Sequence, residues 1–135
     1  MKAKATYAVN KWEEAPYEQI SSEMKMTKAS VEYQMSGEIN GKSAVEYLMF
    51  YKYYNEKDQH KSSAIYIGFV KFTGSVQGKE GSFVIEDHGT FENGEANSTL
   101  QIIAGSGLGE LKSIQGSGRY SASHDGAKIE LDYTL

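Results

Sequence analysis

The sequence has no cysteine, one proline and one tryptophan among 135 residues. Without cysteine, disulfides, thiolate nucleophiles and zinc–cysteine centres are excluded, which fits a reducing compartment. No hydrophobic run approaches the length of a membrane span, and Met1-Lys2-Ala3-Lys4-Ala5-Thr6-Tyr7 lacks the apolar core of a signal peptide. The expectation is a soluble cytoplasmic protein. Basic clusters are missing too: the net charge is -4, and the longest lysine-bearing stretch, Lys57 to Lys61, is mixed in sign. Nucleic acid and anionic membranes are both approached through basic patches, so neither is an expected partner.

What the chain does have is glycine, tyrosine and alternation. Fourteen glycines make it turn-rich without disorder, and ten tyrosines with five phenylalanines favour β-structure. From Thr27 to Ile39 apolar and polar residues alternate without a fault, with Ala29, Val31, Tyr33 and Met35 on one parity and Lys28, Ser30, Glu32 and Gln34 on the other. Further strands are predicted at Lys2–Lys11, Lys42–Tyr53, Ser63–Gln77, Glu80–Glu92, Glu95–Ala104, Gly116–His124 and Ala127–Leu135. Trp12 to Met26 breaks the period and holds the only proline, which predicts a loop that lays Trp12 or Tyr17 over one barrel end, with room for a helical turn around Glu18 to Glu23. Asn40-Gly41, Gly78-Lys79, Asn93-Gly94 and Asp125-Gly126 are each compatible with tight hairpins. Eight antiparallel strands joined this way are best accommodated by closing the sheet, which removes its edges. The fold class is all-β: one small, mostly up-and-down, eight-stranded antiparallel barrel over residues 1–135.

Centring turns on those dipeptides assigns side chains to faces, because opposed residues share a face. Asn40-Gly41 sets Met35 opposite Glu46 and Tyr33 opposite Leu48, which turns Glu46 inward and Val45, Tyr47, Met49 and Tyr51 outward. Gly78-Lys79 sets Val70 opposite Asp87, and Asn93-Gly94 sets Asp87 opposite Leu100. Glu46 and Asp87 thus become the inward carboxylates, among inward Tyr7, Tyr33, Tyr66, Tyr120 and Tyr133. An unpaired buried carboxylate costs several kcal/mol, so each is either hydrogen-bonded structurally or held for a purpose. The candidate catalytic residues are Glu46 and Asp87. The candidate ligand-binding residues are Tyr33, Glu46, Tyr66, Val70, Asp87 and Tyr120.

On the outer face, Tyr47, Met49 and Tyr51 beside Ile65, Ile67 and Phe69 make a patch too apolar for free solvent, so a homo-oligomer through these six residues is expected. His60, His88 and His124 lack paired ligand spacing, and no metal or cofactor is expected. Gly105-Ser106-Gly107-Leu108-Gly109 has no lysine at the spacing of a phosphate-binding loop and no surrounding βαβ unit, so it reads as a turn.

The segment Ala104-Gly105-Ser106-Gly107-Leu108-Gly109-Glu110-Leu111-Lys112-Ser113-Ile114-Gln115-Gly116-Ser117-Gly118-Arg119-Tyr120 resembles the glycine-rich segment of dirigent proteins and plant allene oxide cyclase. With Ala44-Val45-Glu46-Tyr47-Leu48-Met49, Phe72-Thr73-Gly74-Ser75-Val76 and Gly81-Ser82-Phe83-Val84-Ile85, the chain is similar to a bacterial family of unknown function related in fold to that cyclase. The resemblance implies an eight-stranded barrel, often oligomeric, whose cavity in the plant cyclase holds a lipid-derived epoxide. It also implies relatives with an acid at the position of Val70 and a histidine at that of Asp87. Three functions follow as expectations: a barrel binding a small apolar or aromatic molecule, a cofactor-free isomerase or cyclase, and a non-catalytic assembly protein. Cavity volume separates them, since a packed interior removes the first two.

Overall fold

Apolar and polar residues alternate along most of the chain, and the backbone answers with strands that bury one parity and wet the other. A computed structural model describes residues 1–135. The strands are β1 Lys2–Gln19, β2 Lys25–Gly37, β3 Ile39–Tyr53, β4 Ser63–Val76, β5 Lys79–Glu92, β6 Glu95–Ile102, β7 Leu108–Gly109, β8 Gln115–Ser123 and β9 Gly126–Thr134. Eight of them pair antiparallel around a ring, each long strand with the next, and β9 returns to β1. The result is the closed up-and-down barrel expected from the turns. Strand β7 is a two-residue ladder on β5. The one helical feature is a 3-10 turn at Gln59–Lys61, and no helix is long and apolar enough to cross a membrane.

β1 runs for 18 residues, well beyond the Lys2–Lys11 that the sequence pattern indicates. Residues 12–19 continue as strand against β2, and no helical turn forms around Glu18 to Glu23. Register shifts between Val9 and Lys11 and between Pro16 and Glu18 each insert an unpaired residue, which reverses the parity beyond it and hides the strand from a search for alternation. Pro16 fits because β9 covers β1 only from Lys2 to Thr6, leaving the far side of the outer half an open edge where no N–H is required.

The register of the Asn93-Gly94 hairpin is as expected, with Asp87 opposite Leu100 and Ile85 opposite Ile102. Two other turns sit one residue earlier than placed. The β4–β5 turn lies at Gln77-Gly78, both at positive φ (47° and 85°), so Gly68 rather than Val70 opposes Asp87. In the β8–β9 hairpin Tyr120 opposes Ile129 rather than Leu131. Moving a turn by one residue moves the pairing by two, which leaves each side chain on its own face.

The β2–β3 hairpin is different. It turns around Glu38, with Met35 opposite Gly41, Val31 opposite Val45 and Ala29 opposite Tyr47. That pairing is five residues from the expected one, and an odd shift reverses every side chain of β3. Val45, Tyr47, Met49 and Tyr51 are buried inside, whereas Glu46 lies exposed outside and takes a hydrogen bond from Ser30 Oγ. Half of the expected outer patch is therefore barrel core. Ile65, Ile67 and Phe69 do remain exposed, joined by Leu48 opposite Ile67.

One end of the barrel is solid. Ile39, Phe72, Val76 and Phe83 fill it, and the turns between β6 and β8 carry Leu111 and Ile114, both fully buried, into its base. The glycine-rich segment serves this plug: a methyl on Gly81 or Gly107 would strike the backbone of Leu108 or Leu111.

Candidate functional site

Inward side chains of β5 run from Phe83 at the plug through Ile85 and Asp87 to Gly89 and Phe91, so Asp87 sits at mid-barrel. Two glycines give it company. Gly68 lies between Tyr47 on β3 and Asp87 on β5, and a Cβ there would stand 2.9 Å from the Tyr47 ring. The Tyr47 ring therefore crosses Gly68, and its hydroxyl donates to Asp87 Oδ2 at 2.7 Å. Gly89 does the same for Tyr66, since a methyl at Gly89 would overlap the Tyr66 hydroxyl and Ser98 Oγ.

From Tyr47 the network spreads. Its hydroxyl oxygen meets that of Tyr33 at 2.9 Å and that of Tyr120 at 3.3 Å. Tyr120 meets Tyr66 at 3.0 Å, and Tyr66 meets Ser98 Oγ at 2.8 Å. Tyr7 packs edge-on against Tyr33 and Tyr120. The Tyr7 hydroxyl and Asp87 Oδ1 are buried without a hydrogen-bond partner, and both residues line a void of about 20 Å³. That is about the room one water needs.

No arginine, lysine or histidine enters this interior, so desolvation decides the titration. Burial raises the Asp87 pKa from 3.8 to about 6, the Tyr47 and Ser98 hydroxyls pulling the other way. Burial likewise pushes Tyr33, Tyr47, Tyr66 and Tyr120 above their ordinary value near 10, so all four keep their protons through neutral pH.

Above the hydroxyls the barrel is hollow. A cavity of about 240 Å³ is lined by sixteen residues, thirteen of them apolar or aromatic, with Tyr33, Tyr47, Tyr66 and Tyr120 at its inner end. Val9, Trp12 and Glu14 from the outer half of β1, together with Tyr54, Gln59 and Phe91, form the mouth. Glu14 accepts from Thr27 Oγ1 at 2.6 Å, Tyr51 Oη at 2.8 Å and Trp12 Nε1 at 3.0 Å. At the rim, the Lys25 ammonium stands 3.3 Å from the centre of the Tyr54 ring.

Of the residues singled out by sequence, Tyr33, Tyr66 and Tyr120 line the cavity, while Asp87 and Val70 lie just beneath it on the 20 Å³ void. Glu46 is not part of the site, because the β3 register turns it outward. Tyr47, the hub of the network, and Tyr51, on Glu14, were expected on the outer face. The signal that locates them is the pattern of β3 itself: Lys42, Glu46 and Lys52 share a parity opposite to Val45, Tyr47, Met49 and Tyr51. Trp12 does lie over a barrel end, as expected, though on a strand rather than a loop, whereas Tyr17 stays exposed and outside the cavity lining. Glu14 carries no such signal, since the bulges of β1 erase the alternation.

A family model described as a protein of unknown function, DUF3224, matches residues 3–135. The chain is similar in structure to a DUF3224-family protein of unknown function from Shewanella oneidensis MR-1, with a TM-score of 0.75 at 20% identity over 100% of this chain and 96% of that one. At that identity the likeness shows the fold alone. No curated protein matches the chain.

Proposed function

We propose, for a chain that belongs to the DUF3224 family and so inherits a fold but no named activity, that the barrel binds a small apolar or aromatic molecule. The observation that carries this reading is the hollow of about 240 Å³, walled by aromatic side chains and ending in convergent tyrosine hydroxyls. Binding sites for small molecules are concave and mostly apolar, with a few placed polar groups; ordinary ones run from about 300 Å³ upward, so this one suits a one-ring ligand. Saturation-transfer NMR with p-cresol tests it. Transfer from protein to ligand, lost when Ala96→Phe fills the cavity wall, supports the reading. No transfer at millimolar ligand would overturn it.

A second reading, a cofactor-free isomerase or cyclase like the plant enzyme the sequence resembles, is favoured by one observation. Asp87, with a pKa near 6, is joined through Tyr47 to the cavity floor, so a proton can pass between a bound molecule and an acid of suitable strength. Assembly of copies through Leu48, Ile65, Ile67 and Phe69 rests on their exposure, which reaches 63% at Phe69. Sedimentation showing a monomer at high concentration would remove it.

A further inference from the structure

The floor of the cavity has a definite proton polarity. Each of Tyr33, Tyr47, Tyr66, Tyr120 and Ser98 brings one hydroxyl proton, and the ionised Asp87 brings none. Tyr47 spends its proton on Asp87 at 2.7 Å, so it can only accept from Tyr33 and Tyr120. Tyr120 is thereby committed to Tyr47, so Tyr66 must donate to Tyr120 and Ser98 to Tyr66. Every proton of the network points toward Asp87. A molecule entering from the mouth meets oxygen lone pairs on Tyr33, Tyr66 and Tyr120; the one uncommitted hydroxyl of the tyrosine cluster is that of Tyr7, which lines both the cavity and the lower void.

The walls have a matching electrostatic sign. The only charged residue lining the cavity is Glu14; no lysine, arginine or histidine does. Glu14 receives neutral donors alone and takes part in no ion pair. Aromatic faces attract cations, and the rim shows that these do so: the Lys25 ammonium lies 3.3 Å from the Tyr54 ring centre and 5.6 Å from that of Tyr51.

We propose that the ligand is a small aromatic amine bound as its ammonium ion, its ring between the aromatic walls and its N–H groups on Glu14 and on the hydroxyl oxygens of the floor. This rests on the cavity-binding reading above and names the ligand class for it. A neutral alcohol uses the same walls without the charge attraction. A carboxylate meets the charges of Glu14 and the buried Asp87, which repel it, and a floor whose one uncommitted hydroxyl is that of Tyr7.

The test is a charge series on one ring: benzylammonium, benzyl alcohol and benzoate, titrated at pH 7.5 against the full chain. Binding is followed by NMR and by the fluorescence of Trp12, the only tryptophan and a lining residue. The expected result is benzylammonium at least ten times tighter than benzyl alcohol, no measurable benzoate binding, and a preference that shrinks toward unity in Glu14→Gln. Equal affinity for the ammonium and the alcohol overturns the amine inference and leaves the cavity reading standing. A preference that Glu14→Gln does not change overturns the inference as well. Failure of all three compounds to bind overturns the inference and the cavity reading together.

Discussion

The β5–β6 hairpin turns on Asn93-Gly94, with φ of 54° and 74°, whereas the β2–β3 hairpin turns around Glu38 and carries its own Asn-Gly pair inside β3. The two dipeptides have the same local preference, and the surroundings of the second override it. Asn40-Gly41 lies against Ser75-Gly74 of β4, where a methyl on Gly41 would stand 2.7 Å from the Gly74 Cα and closer still to the Thr73 carbonyl. The turn itself is tied down from both sides. Glu38 donates its N–H to the Lys4 carbonyl at 3.0 Å, its carboxylate takes the Lys4 N–H at 2.9 Å, and its carbonyl takes the Gln77 N–H at 2.7 Å. Asn93-Gly94 has no such competition; the nearest group to a methyl on Gly94 is the His60 ring at 3.2 Å. A turn dipeptide sets register where nothing else claims it, and yields where burial of a whole strand face is at stake.

The contrast can be broken at the glycines first. Gly41→Ala should cost about 3 kcal/mol or more, because two backbones must separate, and should be read as a collapse of the urea midpoint. Gly94→Ala meets only positive φ and a movable ring, and should cost about 1 kcal/mol. Equal losses would mean that Asn40-Gly41 is a turn after all.

Next in size is the pH dependence carried by Asp87. Between its ordinary pKa of 3.8 and the native value of about 6, the folded state holds a proton that the unfolded state has released. Stability from this group is therefore present below pH 4, falls as pH rises to about 6, and stays lower above it by about 3 kcal/mol. Asp87→Asn keeps an acceptor for Tyr47 and removes the charge, so its stability at pH 8 should equal or exceed that of the native chain and the decline between pH 4 and 7 should flatten. Denaturant melts across that range check both.

Tyr47→Phe leaves Asp87 without its donor and strips two further tyrosines of a partner, a loss of roughly 2 kcal/mol. Its sequence neighbour Glu46, outside on Ser30, should change stability by less than about 0.5 kcal/mol on Glu46→Gln. The reverse ranking would restore the other face of β3.

Much of this was readable from residues. The barrel, the inward parity of β2, β4, β5, β6, β8 and β9, and the burial of Asp87 follow from alternation and from turns whose misplacement by one residue is harmless to parity. Glu46 failed because one turn, placed wrongly by an odd pairing shift, outweighed the pattern of β3. Glu14, and the strand that carries it with Trp12, were hidden for another reason. That strand is bulged, and a bulge is a response to curvature around the barrel that no local pattern records. The hydroxyl network is longer-range still: it needs Gly68 and Gly89 beneath the rings of Tyr47 and Tyr66, a fit visible only once three strands are in register.

The Asp87 carboxyl carbon, followed by NMR through a pH titration of the native chain and of Tyr47→Phe, joins the register of β3 to the chemistry of the cavity floor. The expected midpoint is about 6 in the native chain, moving higher in Tyr47→Phe because the hydroxyl that favours the ionised form is gone. A midpoint near 3.8 that Tyr47→Phe leaves unmoved would place Tyr47 away from Asp87 and contradict both.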